Sequence, residues 1–133
     1  MKTNTLLLTI LTILLISCQN KQQEAMSKEN NQNLFVLVKY KTQPLKSEEA
    51  VAGLTKLLEA VKSEPNFVNI TLYADPKDDS NILLFEEWSD ETYYNGDHMK
   101  TMHLQKFMED SRAFLAGPPE ISQWKIEKVF KSR

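Results

Sequence analysis

An α+β domain with the order β-α-β-β-α-β is what the apolar pattern predicts for residues 34–133. Three observations carry that expectation. Apolar runs of strand length start near Leu34, Phe67, Asn81 and Glu120; a helical stripe lies between the first two; and turn or stop residues mark the junctions. Four strands with two helices on one face form the ferredoxin-like split βαβ arrangement, βαββαβ, with a four-stranded antiparallel sheet.

Each element has its own local reason. Leu34-Phe35-Val36-Leu37-Val38-Lys39-Tyr40 is a nearly continuous β-forming run, as expected of a strand buried on both faces. Ser47 is placed to cap the next helix, with Glu48 and Glu49 in its electropositive first turn. Val51, Leu54, Leu58 and Val61 recur on one stripe, and Pro65 lies beyond the helix end. Phe67 to Ala74 reads as the second strand and Asn81 to Trp88 as the third. The turn chemistry of Asp75-Pro76-Lys77-Asp78-Asp79-Ser80 joins them as an antiparallel hairpin. Asp90 starts a short helical turn that Asn95-Gly96 interrupts. Asp97 is placed to cap a longer helix toward Leu115, which Gly117-Pro118-Pro119 stops. Glu120 to Phe130 is the last strand.

The first and third strands carry apolar residues on both faces, whereas two helices cover only one. A second copy of the sheet is the economical cover for the other, so a homodimer is expected.

Composition excludes several function classes. The chain has 133 residues, a formal charge of -2 and three glycines, Gly53, Gly96 and Gly117, which stand alone. Neither a dinucleotide fingerprint nor a P-loop is present. No broad basic field exists to hold nucleic acid. One cysteine and two histidines argue against a Cys-rich metal site or an internal disulfide, and no metal is expected.

The N-terminal segment reads as an address. Lys2 precedes an apolar run, Leu6 to Ile16, that is too short to span a membrane and suits a secretory signal peptide. Leu15-Ile16-Ser17-Cys18 resembles the lipobox of bacterial lipoproteins. That resemblance implies removal of residues 1–17, lipidation of Cys18 and a place in the bacterial cell envelope outside the cytoplasm. Gln19, rather than Asp, after the cysteine resembles lipoproteins sent to the outer membrane. Residues 18–33 are rich in Asn and Gln and read as a flexible tether, on the order of 20 Å long as a coil.

Candidate chemistry lies between Phe85 and Phe107. Alternation places Ile82, Leu84, Glu86 and Trp88 on one face of their strand, so a carboxylate stands beside a large aromatic near the strand end. His98 follows ten residues after Trp88. It reads either as a site residue or as a polar residue in a first helical turn. On an ideal wheel it points away from Leu104, Phe107, Phe114 and Leu115, and it reaches a pocket only if Asn95-Gly96 re-aims the chain. His103 borders that apolar stripe, as pocket lining or half-buried packing. Met99, Met102, Phe107 and Met108 read as packing or pocket lining.

Glu86, Trp88, Asp90, His98 and His103 together resemble the running pattern of the antibiotic biosynthesis monooxygenase family. The first strand, Glu64-Pro65-Asn66 and the Asp-Pro turn fit the same pattern across residues 34–130. The resemblance implies a dimeric α+β barrel with one pocket per subunit between sheet and second helix. It also implies oxidation of an electron-rich phenol or quinol by O₂ with no metal or flavin. On that reading His98 is the general base, Glu86 orients the imidazole or a substrate hydroxyl, and Trp88, His103 and Phe107 hold the substrate. A histidine suits deprotonation near neutrality. Related proteins of this fold bind or degrade haem through a second-helix His, a Trp on the preceding strand and an Asn in the first strand. Trp88 and His98 match two of these parts, but Val36 to Tyr40 contains no Asn. A small-ligand-binding lipoprotein without catalysis is the third alternative.

Overall fold

The computed structural model describes residues 33–132. The expected signal peptide, Cys18 and most of the tether lie outside them. Strand β1 (Leu34–Lys41) leads to helix α1 (Ser47–Val61), then to the hairpin β2 (Phe67–Ala74) and β3 (Asn81–Trp88). A short helix α2 (Glu91–Asn95), a 3-10 turn at His98–Lys100, helix α3 (Met102–Asp110) and a second 3-10 turn at Ser111–Ala113 follow, before β4 (Glu120–Trp124). The four-stranded sheet has the order β2-β3-β1-β4, with every adjacent pair antiparallel. This is the ferredoxin-like α+β fold, here an open sheet.

The core lies between sheet and helices. Leu34, Val36, Val38 and Tyr40 of β1 pair with Trp88, Glu86, Leu84 and Ile82 of β3, and all eight side chains are buried on the helix-facing side. Ala50, Leu54, Leu57 and Val61 of α1 close over them, with Val51 and Leu58 packed at the margin. The buried stripe is thus centred one residue from part of the expected one. Gly53 brings α1 against Phe114: a Cβ there would lie 2.7 Å from the ring's Cζ.

Three local expectations need correction. Ser47 is the first residue of α1 rather than its cap, and its hydroxyl bonds Asp79 at 3.1 Å. Asp97 caps no long helix. The segment breaks into a 3-10 turn, an extended Thr101 and α3, because the Asn95-Gly96 interruption propagates further than periodicity suggests. The last strand ends at Trp124, not Phe130, where its ladder with β1 reaches Phe35, next to the first residue of that strand. Asp90, by contrast, caps α2 as expected, accepting the Tyr93 N–H at 2.8 Å.

Among the described residues no helix covers the opposite face of the sheet. Phe35 and Phe85 stack there with ring centroids 5.7 Å apart, flanked by Leu37 and Leu83, with exposed Tyr73 and Trp124 at the margins.

Candidate functional site

A cavity of about 620 Å³ lies between the helix-facing side of the sheet and helices α1 and α3. Its walls are mostly apolar, with Val38 and Leu84 from the sheet, Leu57 and Val61 from α1, and Leu104 and Phe107 from α3. Its polar lining comprises Gln43, Ser111 and Arg112 and a set of four, Tyr40, Glu86, Tyr94 and His98. All four are buried in the chain. Among the described residues the hydroxyls of Tyr40 and Tyr94 have no hydrogen-bond partner. An apolar chamber with a few convergent polar groups is the ordinary build of a small-molecule site.

His98 reaches the cavity because the chain breaks before it. Gly96 ends α2, and the 3-10 turn sets His98 inward before α3 begins. Its ring packs against Trp88 at 4.6 Å between centroids and stacks on Tyr94 at 5.1 Å and 18°. Its Nδ1 lies 2.8 Å from Glu64 Oε2. With Nδ1–H donated to that carboxylate, Nε2 is left as the basic atom, and among the described residues it has no protein partner.

Glu64 organises the cluster. It stands between α1 and β2, where Pro65 and Asn66 turn the chain; Asn66 takes a left-handed φ of 66° and its carbonyl accepts the Ser89 N–H at 2.9 Å. Asn tolerates that conformation well. The Glu64 side chain is 4% exposed, and Tyr93 Oη donates to its Oε2 at 3.0 Å. Its Oε1 contacts His103 Nε2. Burial alone would raise this carboxyl. The hydrogen bonds from His103 and His98, the His98 charge and the Tyr93 hydroxyl outweigh burial and hold it below the usual carboxylate range.

Glu86 has the opposite character. It sits between Val36 and Ile70 in the middle of the sheet, and burial pushes its carboxyl up to about 7. The Trp88 indole N–H, 2.9 Å from Oε2, opposes that rise, while the Glu64 charge adds to it. Glu64, bonded to His98, and Glu86, bonded to Trp88, thus have oppositely displaced acidities, a recurring feature of functional sites.

Glu86, His98 and Phe107 line the cavity. Trp88 does not; it is fully buried behind His98, which it holds by ring contact while binding Glu86. His103 is also absent from the lining and faces Glu64 instead. Glu64 entered the sequence reading only within a family pattern, without a role. Histidines five residues apart cannot share a face of one straight helix, and that spacing around a chain break is the signal pointing to a common partner. Among the described residues no cluster of three or more His, Cys, Asp or Glu is arranged to hold a metal ion.

The model of the family described as "Antibiotic biosynthesis monooxygenase" matches residues 33–110. Among solved structures, PA3566 from Pseudomonas aeruginosa is 21% identical with a TM-score of 0.66, over 72% of this chain and 95% of that one. A putative antibiotic biosynthesis monooxygenase from Nitrosomonas europaea is 14% identical with a TM-score of 0.67, over 74% and 93%. A conserved protein from Methanosarcina mazei Go1 is 20% identical with a TM-score of 0.64, over 70% and 91%. At these identities the likeness establishes the fold. A comparison with curated proteins finds no match.

Proposed function

The chain belongs to the antibiotic biosynthesis monooxygenase family, and from that premise we propose that it oxidises an electron-rich phenol or quinol with O₂, using His98 as general base and no cofactor. One observation carries this reading: His98 is fixed by Glu64 through Nδ1 and presents an unpaired Nε2 to a largely apolar cavity. A carboxylate that orients an imidazole also stabilises the cation formed when Nε2 takes a proton.

The chemistry balances within the substrate and oxygen. His98 removes the phenolic proton, and the phenolate passes one electron to O₂. The resulting pair combines at a ring carbon, and the peroxide collapses to a carbonyl with loss of water. For a phenol with an unsubstituted para position, phenol plus O₂ gives para-quinone plus water, and no outside reductant is needed. The protein's task is to bind, ionise and exclude bulk water. Glu86, with its acidity near neutrality, and the unpaired hydroxyls of Tyr40 and Tyr94 suit the oxygen atoms of such a substrate. Phe107 supplies an apolar wall.

Oxygen uptake with a panel of phenols and quinols, without added metal or flavin, tests the proposal. Wild type is expected to turn over at least one of them, and His98→Ala to lose at least about tenfold. Equal rates in the two proteins would remove His98 from the mechanism.

A haem-binding reading is favoured by the same Nε2, since a histidine held by a carboxylate through Nδ1 suits an axial ligand. Haem titration separates the two: a Soret band that His98→Ala abolishes supports haem binding, and its absence in wild type rejects it. Two further properties belong to the proposal. The apolar open face around Phe35 and Phe85 is assigned to a second copy of the chain, which Phe85→Glu should release as a monomer in light scattering. Lipidation of Cys18 is assigned as the membrane anchor, which Cys18→Ser should abolish in a fractionation assay.

A further inference from the structure

We infer, resting on the proposed oxidation, that the phenolic substrate carries a carboxylate on a hydrocarbon link and that Arg112 receives it at the end of the cavity opposite His98. One acid and one guanidinium line the chamber, Glu86 and Arg112, and they belong to different ends of it. Glu86 is level with Val36 in β1. Arg112 sits past the far end of that strand. Its carbonyl accepts the Gln43 side-chain amide at 3.0 Å, and Phe114 and Leu115 close onto Gln43 and Thr42. From Val36 to Gln43 is on the order of 20 Å of extended chain. Helix α3 runs between the two ends, with His98 in the turn before it and Arg112 in the turn after it.

Arg112 is the one arginine among the described residues, and within them no carboxylate pairs with its guanidinium. The acids just before it in the chain, Glu109 and Asp110, act instead on Lys106, which Asp110 holds at 3.0 Å. Gln43 fixes the turn that carries it, since the same amide also donates to the Leu115 carbonyl at 3.0 Å. A guanidinium presents paired donors in one plane, which fits a carboxylate, and it keeps its charge at any working pH.

Polarity then orients the ligand. A carboxylate beside Glu86 would meet a second acid and buried apolar walls, whereas beside Arg112 it meets a cation within reach of water. The phenolic end, neutral on arrival, goes to His98. Between the two ends stand Leu57, Leu84, Leu104 and Phe107, which suit a hydrocarbon link. Side chains at both ends shorten the span and leave room for a molecule roughly 10 Å long. A cavity of about 620 Å³ holds a ligand of that size.

The test is a calorimetric titration of the intact protein with a phenol carrying a hexanoate chain at its meta position, and with the methyl ester of the same molecule. Wild type is expected to bind the acid at least about tenfold more tightly than the ester. Arg112→Gln should remove that difference by weakening the acid alone, and Arg112→Lys should keep part of it. Added salt should narrow the gap, because the guanidinium is exposed. Equal binding of acid and ester by wild type, no binding of the acid, or an undiminished preference in Arg112→Gln folded by circular dichroism would overturn the inference. A turnover arm separates it from the monooxygenase reading: Arg112→Gln should raise KM for the acid and leave kcat little changed. A wild type that prefers the acid but oxidises neither phenol would defeat the oxidation and leave the role of Arg112 standing.

Discussion

Replacing Glu86 by Gln should convert a pH-dependent burden on the fold into a constant one. The carboxyl moves from 4.5 to about 7 through burial beneath α1 and between Val36 and Ile70. A displacement of that size corresponds to roughly 3 kcal/mol when the group is ionised. Because the folded value lies above the unfolded one, the cost is absent below about 4.5, grows as pH rises and is complete above about 7. Gln has nearly the same volume and keeps a carbonyl to accept the Trp88 indole N–H, now 2.9 Å from Glu86 Oε2. Urea unfolding of both proteins, followed by tryptophan fluorescence at pH 4.5 and pH 8, measures the effect. The stability difference should move in favour of Glu86→Gln by about 3 kcal/mol between those pH values, with unchanged denaturant slopes. A difference that stays constant with pH would refute the buried, displaced carboxyl.

Glu64→Gln should show the reverse sign. The Glu64 carboxyl is held below its usual range, so its stabilisation is present above the unfolded value and lost as pH falls through the folded one. Denaturant unfolding near neutrality should show a loss of about 2 kcal/mol or more, shrinking in acid. Gly53→Ala should destabilise by about 1–2 kcal/mol, because overpacking against Phe114 exceeds the gain in helix propensity; an unchanged melting temperature would contradict that close approach. Leu45 is fully exposed with a left-handed φ of 63°, so Leu45→Asn should raise the melting temperature by a few degrees.

The strands were legible because their code is short-range. The inward set Ile82, Leu84, Glu86 and Trp88 follows from alternation alone, and the Asp75–Ser80 turn fixes the hairpin. The segment after Asn95-Gly96 was less legible. Helical periodicity continued through His98 to Leu115 would put His98 outside, and the extended Thr101 that resets the phase leaves no mark in the apolar pattern. The face that Trp88 takes follows from alternation, but its depth depends on α2 folding over the strand end, where Tyr93 and Tyr94 pack on it. Glu64 was hidden for a different reason. A single acidic residue at a helix end is ordinarily solvated, and only tertiary packing brings His98, 34 positions away, onto it. Pairing across such distances has no local periodicity to betray it.

The most direct measurement is single-turnover oxidation of a phenol or quinol under O₂, followed optically, comparing wild type with Glu64→Gln at equal substrate saturation. If Glu64 fixes His98 as the cavity's base, the oxidation rate should fall by at least about tenfold while substrate affinity changes little. An unchanged rate in folded Glu64→Gln would contradict the proposed site.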